Sequence, residues 1–117
     1  MKYSKQDAEK FSIPGGSEGY LYPAHPKGEQ SIALVTMDGE YPVDGYSINE
    51  KCTEAMFMIE GTFEAEVDGE KVTLQKHDEL IVLPGEKYRL TGTGTSLIII
   101  TPAWDKSQNK IIPKNHE

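Results

Sequence analysis

The stretch AEVDGEKVTLQKHDELIVLPGEKYRL, residues 65–90, decides the fold. Phe63, Ala65 and Val67 alternate with Glu64 and Glu66, which gives that strand one apolar and one charged face. Asp68-Gly69 supplies the positive φ of a tight hairpin turn, after which Lys71–Leu74 returns. Glu79–Leu83 and Tyr88–Leu90 repeat the arrangement around Pro84-Gly85, and Arg89 is the last strongly basic residue of the stretch.

Outward from this segment, short apolar or alternating runs recur between turn signals: residues 20–22, 31–37, 55–59, 62–67 and 96–101. Such spacing predicts an all-β antiparallel sandwich or barrel. Residues 1–10 suit a short helical arm that Pro14, Gly15 and Gly16 terminate. The expected layout is an N-terminal arm over 1–18, a barrel over 19–104 and a polar tail over 105–117 that wraps the barrel or hangs free.

The 117 residues are enough for one domain and too few for two. Twelve Lys+Arg stand against 19 Asp+Glu, a net charge of −7 with no basic cluster, which argues against nucleic acid as a partner. The longest apolar run, around Ser96–Ile100, is far short of a bilayer span, and MKYSKQDAEK lacks the apolar core of a secretory signal; the expectation is a cytoplasmic protein without a membrane partner. One cysteine, Cys52, allows no internal disulfide.

From Gly45 to about Thr101 the chain resembles the small single-domain cupins. The segment after Glu54, MFMIEGTFEAEVDGEKVTL, matches the strand, glycine turn and hairpin of that family, with Glu54 and Gly61 correctly separated, and HDELIVLPGEKYRL matches its second motif. The resemblance implies a cupin-type jelly-roll β-barrel. It also implies a metal held by two histidines and a glutamate from the first motif and a histidine from the second. Counting from Gly45 puts the paired histidines at Lys51 and Thr53, and counting back from Glu54 puts them at Ser47 and Asn49. Neither count finds a histidine, and the second-motif histidine falls on Arg89, which cannot ligate a cation. One carboxylate does not hold a transition metal tightly, so no metal and no cofactor is expected.

If Arg89 and Glu54 both point inward, they meet at the family's metal position as a carboxylate–guanidinium pair. Strand alternation allows the other arrangement, with Arg89 in solvent and Tyr88 packed inward. Met56 and Met58 share parity with Glu54 and serve as core filling or as the wall of a ligand pocket. Cys52 is a small buried side chain or, beside Lys51, a reactive thiolate. The candidate ligand-binding set is thus Glu54, Arg89, Met56, Met58, Asn49, Lys51, Cys52 and Tyr88. Of the histidines, His77 reads as a turn residue, His25 as a loop residue and His116 as a terminal one. Trp104, with Tyr20, Tyr22 and Tyr41, suits a pocket rim or a subunit contact.

Two functions fit. One is a metal-free module that binds a small organic ligand, anionic where Arg89 is free to meet it, or serves structure or regulation. The other is an enzyme of isomerase, dioxygenase or lyase type, with an irregular metal site such as Asn49, Cys52, Glu54 and Tyr88 or with metal-free acid–base chemistry. An arginine beside Glu54 disfavours the acid–base version, because it holds the carboxyl ionised. The apolar strand SIALVTM needs a cover, and the resemblance implies a homodimer.

Overall fold

A computed structural model describes residues 1–114. Among the described residues nine antiparallel strands form one curled sheet: β1 (Glu9–Ile13), β2 (Ser17–Leu21), β3 (Ser31–Tyr41), β4 (Tyr46–Asn49), β5 (Thr53–Val67), β6 (Glu70–Leu74), β7 (Glu79–Val82), β8 (Lys87–Thr101) and β9 (Asn109–Ile112). The strand order is β1-β2-β3-β8-β4-β9, with β5 pairing β6, β7 and β8. No helix among the described residues is long and apolar enough to cross a membrane.

The N-terminal arm differs from its expected form. Residues Lys5–Asp7 make only a single 3-10 turn, and β1 begins at Glu9. Pro14-Gly15-Gly16 then turns the chain into β2, which pairs with β3. The apolar strand 31–37 is therefore covered along both edges within its own chain, by β2 and β8.

β8 organises the barrel. One edge pairs with β3 from Ser31↔Ile100 to Tyr41↔Leu90, and the other with β5 from Thr53↔Thr101 to Val67↔Tyr88. Because β5 is fifteen residues long, it serves both halves of the barrel: its first part also pairs with β7 and its second with β6. Glu54, Met56 and Met58 face inward in the first part, while Phe63 and Ala65 face inward in the second. A change from even to odd parity requires one extra residue, and the ladder slips between Met58 and Glu60, a β-bulge at Ile59.

The core gathers Met37, Met56, Met58, Phe63, Ala65, Leu74, Val82, Tyr88 and Leu90. A smaller cluster of Ala33, Cys52 and Ile100 packs against Leu21, Val35 and Trp104. Just past the bulge, Gly61 lies opposite Gly94 with φ of +82°. A Cβ on Gly61 would sit 2.3 Å from the Thr93 carbonyl oxygen and 2.5 Å from Gly94 Cα, so only glycine lets β5 bend here. Gly61→Ala is expected to cost about 2 kcal/mol or more, read as a lower urea midpoint at unchanged slope.

Candidate functional site

The motif registers resolve as follows. Ser47 and Asn49 on β4 are both fully buried, whereas Lys51 is exposed. The count back from Glu54 is therefore the one the fold obeys. In the second motif the decisive anchor is Gly85, whose φ of +87° only a glycine tolerates easily, and not Pro84. Two residues beyond the following Glu86 bring Tyr88, not Arg89, to the inward position. Tyr88 is 3% exposed, and its inward parity agrees with its cross-strand partner Val67.

Arg89 is accordingly corrected to the outer face, where it pairs across the strands with Glu66 and borders a surface depression with Glu64, Lys71 and Thr91. Opposite charges on neighbouring strands are favourable there, and the guanidinium keeps its hydration. No pair forms between Arg89 and Glu54. Lys51 also lies away from the interior.

The barrel holds a partly open cavity of about 390 Å³. Apolar groups make up most of its wall: Phe11 and Ile13 of β1, Met37 of β3, Met56 and Phe63 of β5, and Ile98 of β8. Its polar groups are few. Glu54, Tyr41 and Tyr88 lie together, Ser17 and Ser96 add hydroxyls, and Glu9 and Lys106 are the other charged residues on the wall. Met58 is fully buried core and does not line the cavity. Trp104 does, held by its backbone N–H donating to Ser31 Oγ at 2.9 Å. Tyr22 and His25 instead line an outer groove.

Glu54 is 5% exposed, and the Tyr88 hydroxyl donates to its Oε1 at 3.1 Å. Burial pushes the Glu54 carboxyl up from its ordinary 4.5, while Tyr88 and Asn49 pull it part of the way back. Asn49 acts on the carboxyl as a hydrogen-bond donor would, although its buried Nδ2 makes no hydrogen bond among the described residues. Burial, then the neighbouring Glu54 charge, holds the Tyr88 hydroxyl well above its ordinary value of 10.0. Tyr41 is likewise raised, first by burial; its hydroxyl lies 3.1 Å from Ser47 Oγ, and its ring is 6.1 Å from that of Tyr88.

The C-terminal segment supplies residues that no motif indicated. Gln108, 2% exposed, accepts from the Lys51 and Cys52 N–H groups at 3.1 Å each and donates Nε2 to Asn49 Oδ1 at 3.0 Å. Asn109 donates Nδ2 to Asn49 Oδ1 and Ser47 Oγ, both at 3.0 Å. The tail thus wraps the barrel through β9, which pairs with β4. Cys52 faces the smaller cluster with its thiol toward the Pro102 carbonyl at 3.5 Å, and burial pushes that thiol up, away from a reactive thiolate.

Ser47, Asn49, Glu54 and Tyr88 therefore meet where the family resemblance places four metal ligands. A serine, an amide and a phenol held protonated do not fit a transition metal, and no cluster of three or more His, Cys, Asp or Glu among the described residues could hold one. His77 occupies an exposed turn at φ +73° with its ring stacked on Phe57, and His116 lies outside the described residues.

Solved structures share this architecture. Streptomyces Pac13, a nucleoside dehydratase, superposes at a TM-score of 0.86 over 97% of this chain and 91% of its own, with 15% identity. An RmlC-like cupin from Shewanella frigidimarina aligns at 0.73 over 90% of this chain and 93% of its own, with 21% identity. KdgF from Halomonas sp. aligns at 0.73 over 90% and 96%, with 15% identity. The fold is that of a small cupin. No family profile and no curated sequence matches the chain.

The raised Glu54 pKa sets a pH dependence. Folded Glu54 binds its proton more tightly than the unfolded chain does, so its contribution is fully present below about 4.5 and is lost as pH rises through the folded value. Glu54→Gln cannot ionise, and so is expected to melt higher than the wild type at neutral pH. That advantage should vanish below the ordinary carboxylate value, in thermal melts followed across pH.

Proposed function

We propose that this cupin binds an uncharged, ring-bearing organic molecule in its barrel and catalyses loss of water from it by acid–base chemistry at Glu54, without a metal. The observation that carries this reading is the buried carboxyl of Glu54, raised by burial and held by a tyrosine, on the wall of a mostly apolar cavity. Removing Arg89 from its side takes away the group that would have kept Glu54 permanently ionised, and with it the reason to expect an anionic ligand. A carboxyl whose pKa is raised by burial suits proton transfer in both directions better than an ordinary one.

The cavity volume falls in the usual range of small-molecule sites, ~300–1,000 Å³. Support for a dehydration comes from Pac13, the nucleoside dehydratase, whose structures with uridine include variants at two tyrosines and one histidine. This cavity has two tyrosines and no histidine on its wall among the described residues. Glu54 would then do both halves of the work. As a carboxylate it takes a proton from a carbon acidified by a neighbouring carbonyl. The C–H electron pair becomes the new C=C bond, the hydroxyl on the next carbon departs, and the proton on Glu54 passes to it to give water. Tyr88 and Tyr41, both with raised pKa values, stay protonated and act as donors that orient Glu54 and the substrate.

Uridine binding measured by calorimetry is the first test, followed by mass spectrometry of β-hydroxycarbonyl nucleosides for loss of one water. Binding with turnover that falls about 10²–10⁴-fold in Glu54→Gln is the expected result. Binding without turnover would leave a small-molecule-binding module, and no binding would remove the nucleoside as the ligand class.

We further propose that two copies associate through the outer face of β3, β8, β5 and β7. Ile32↔Ile99, Ile99↔Ala55 and Ala55↔Ile81 make a cross-strand row there, with Phe57 and Leu83 nearby. Ile32, Phe57, Ile81 and Leu83 are 36–52% exposed, an apolar area bordered by Glu79 beside Phe57 on a chain of net charge −7. Light scattering on a sizing column is expected to give twice the chain mass for the wild type and a single chain mass for Phe57→Glu/Ile81→Glu. A monomeric wild type at micromolar concentration would dismiss the dimer.

A further inference from the structure

One hydrogen-bond donor beside Glu54 is left over. Asn49 Oδ1 receives two N–H groups, from Gln108 Nε2 and Asn109 Nδ2. Two donors converging on one oxygen decide which way the amide is turned, so its nitrogen must lie on the other side. That nitrogen is buried and unpartnered among the described residues, while the Asn49 side chain acts on the Glu54 carboxyl in the sense of a donor. Buried N–H groups are seldom left unpaired, and an ionised carboxylate is a stronger acceptor than a neutral acid.

The other groups around the carboxyl do not take this place. Tyr88 of β8 gives its hydroxyl to Oε1, and Tyr41 at the end of β3 leans on Tyr88 and Ser47. The Cys52 thiol turns to the Pro102 carbonyl. Glu9 of β1 and Lys106 of the 3-10 turn before β9 lie elsewhere on the cavity wall.

We infer that Asn49 is a positioning residue for Glu54, its amide turned by Gln108 and Asn109 so that Nδ2–H is reserved for the Glu54 carboxylate. Gln108 and Asn109, outside every motif, are thereby part of the site: they act on the cavity through Asn49 without lining it. This rests on the acid–base reading of Glu54, but its test needs no substrate. Failed turnover would sink that reading and leave the Asn49 signature standing.

The measurement is the Asn49 side-chain amide resonance of isotope-labelled protein at neutral pH. In the wild type its two protons are expected to be widely split, with one downfield. Glu54→Gln, which sets an amide where the carboxylate stood, should move that signal upfield. Gln108→Glu keeps an acceptor for the Lys51 and Cys52 N–H groups but removes a donor to Asn49 Oδ1. It should let the amide turn round and abolish the dependence on residue 54. An Asn49 signal identical in the wild type and a natively folded Glu54→Gln overturns the inference. If Gln108→Glu fails to fold, Asn109→Ala tests the anchor instead, and the comparison at residue 54 still decides whether Nδ2 serves Glu54.

Discussion

A carboxyl inside an apolar barrel must be met by donors or stay protonated, and the polar interior of this chain is arranged around that constraint at Glu54. Its immediate partner is a neutral phenol, Tyr88, rather than a cation. Serine and two amides extend the network to the C-terminal segment, which closes over β4 as β9. An arginine in the same place would have fixed the carboxyl as a charge. The neutral set leaves its proton exchangeable, which is what gives the cavity chemical interest.

The backbone delivers these groups through two devices. The bulge at Ile59 lets one long strand point Glu54 and Met56 into the barrel and, after the slip, Phe63 and Ala65 as well. The double pairing of β8 then locks the parity that turns Tyr88 inward and Arg89 outward, since a one-residue slip would reverse every side chain on two ladders at once.

Strand alternation, the Asp68-Gly69 hairpin and the Glu54–Gly61 spacing make the barrel legible in the sequence. So is the loss of the metal-binding histidines. Counting the second motif from Pro84 puts Arg89 in the histidine's place, but the backbone can shift that proline by a residue. Gly85 was the safer anchor, because its positive φ ties it to one point of the turn. Gln108 and Asn109 carried no signal of their own, since two amides in a polar tail resemble any solvated segment until β9 is seen to pair with β4.

Local chemistry in the sequence by itself determined the barrel class, the shared parity of Glu54, Met56 and Met58, and the absence of a usual metal-ligand set, because each depends on residue type and near-neighbour spacing. Only the tertiary structure decided which of Tyr88 and Arg89 faces Glu54, that the tail reaches the site, and that the first hairpin covers β3. Those outcomes depend on pairings between strands far apart in the chain, where no local pattern sets the register.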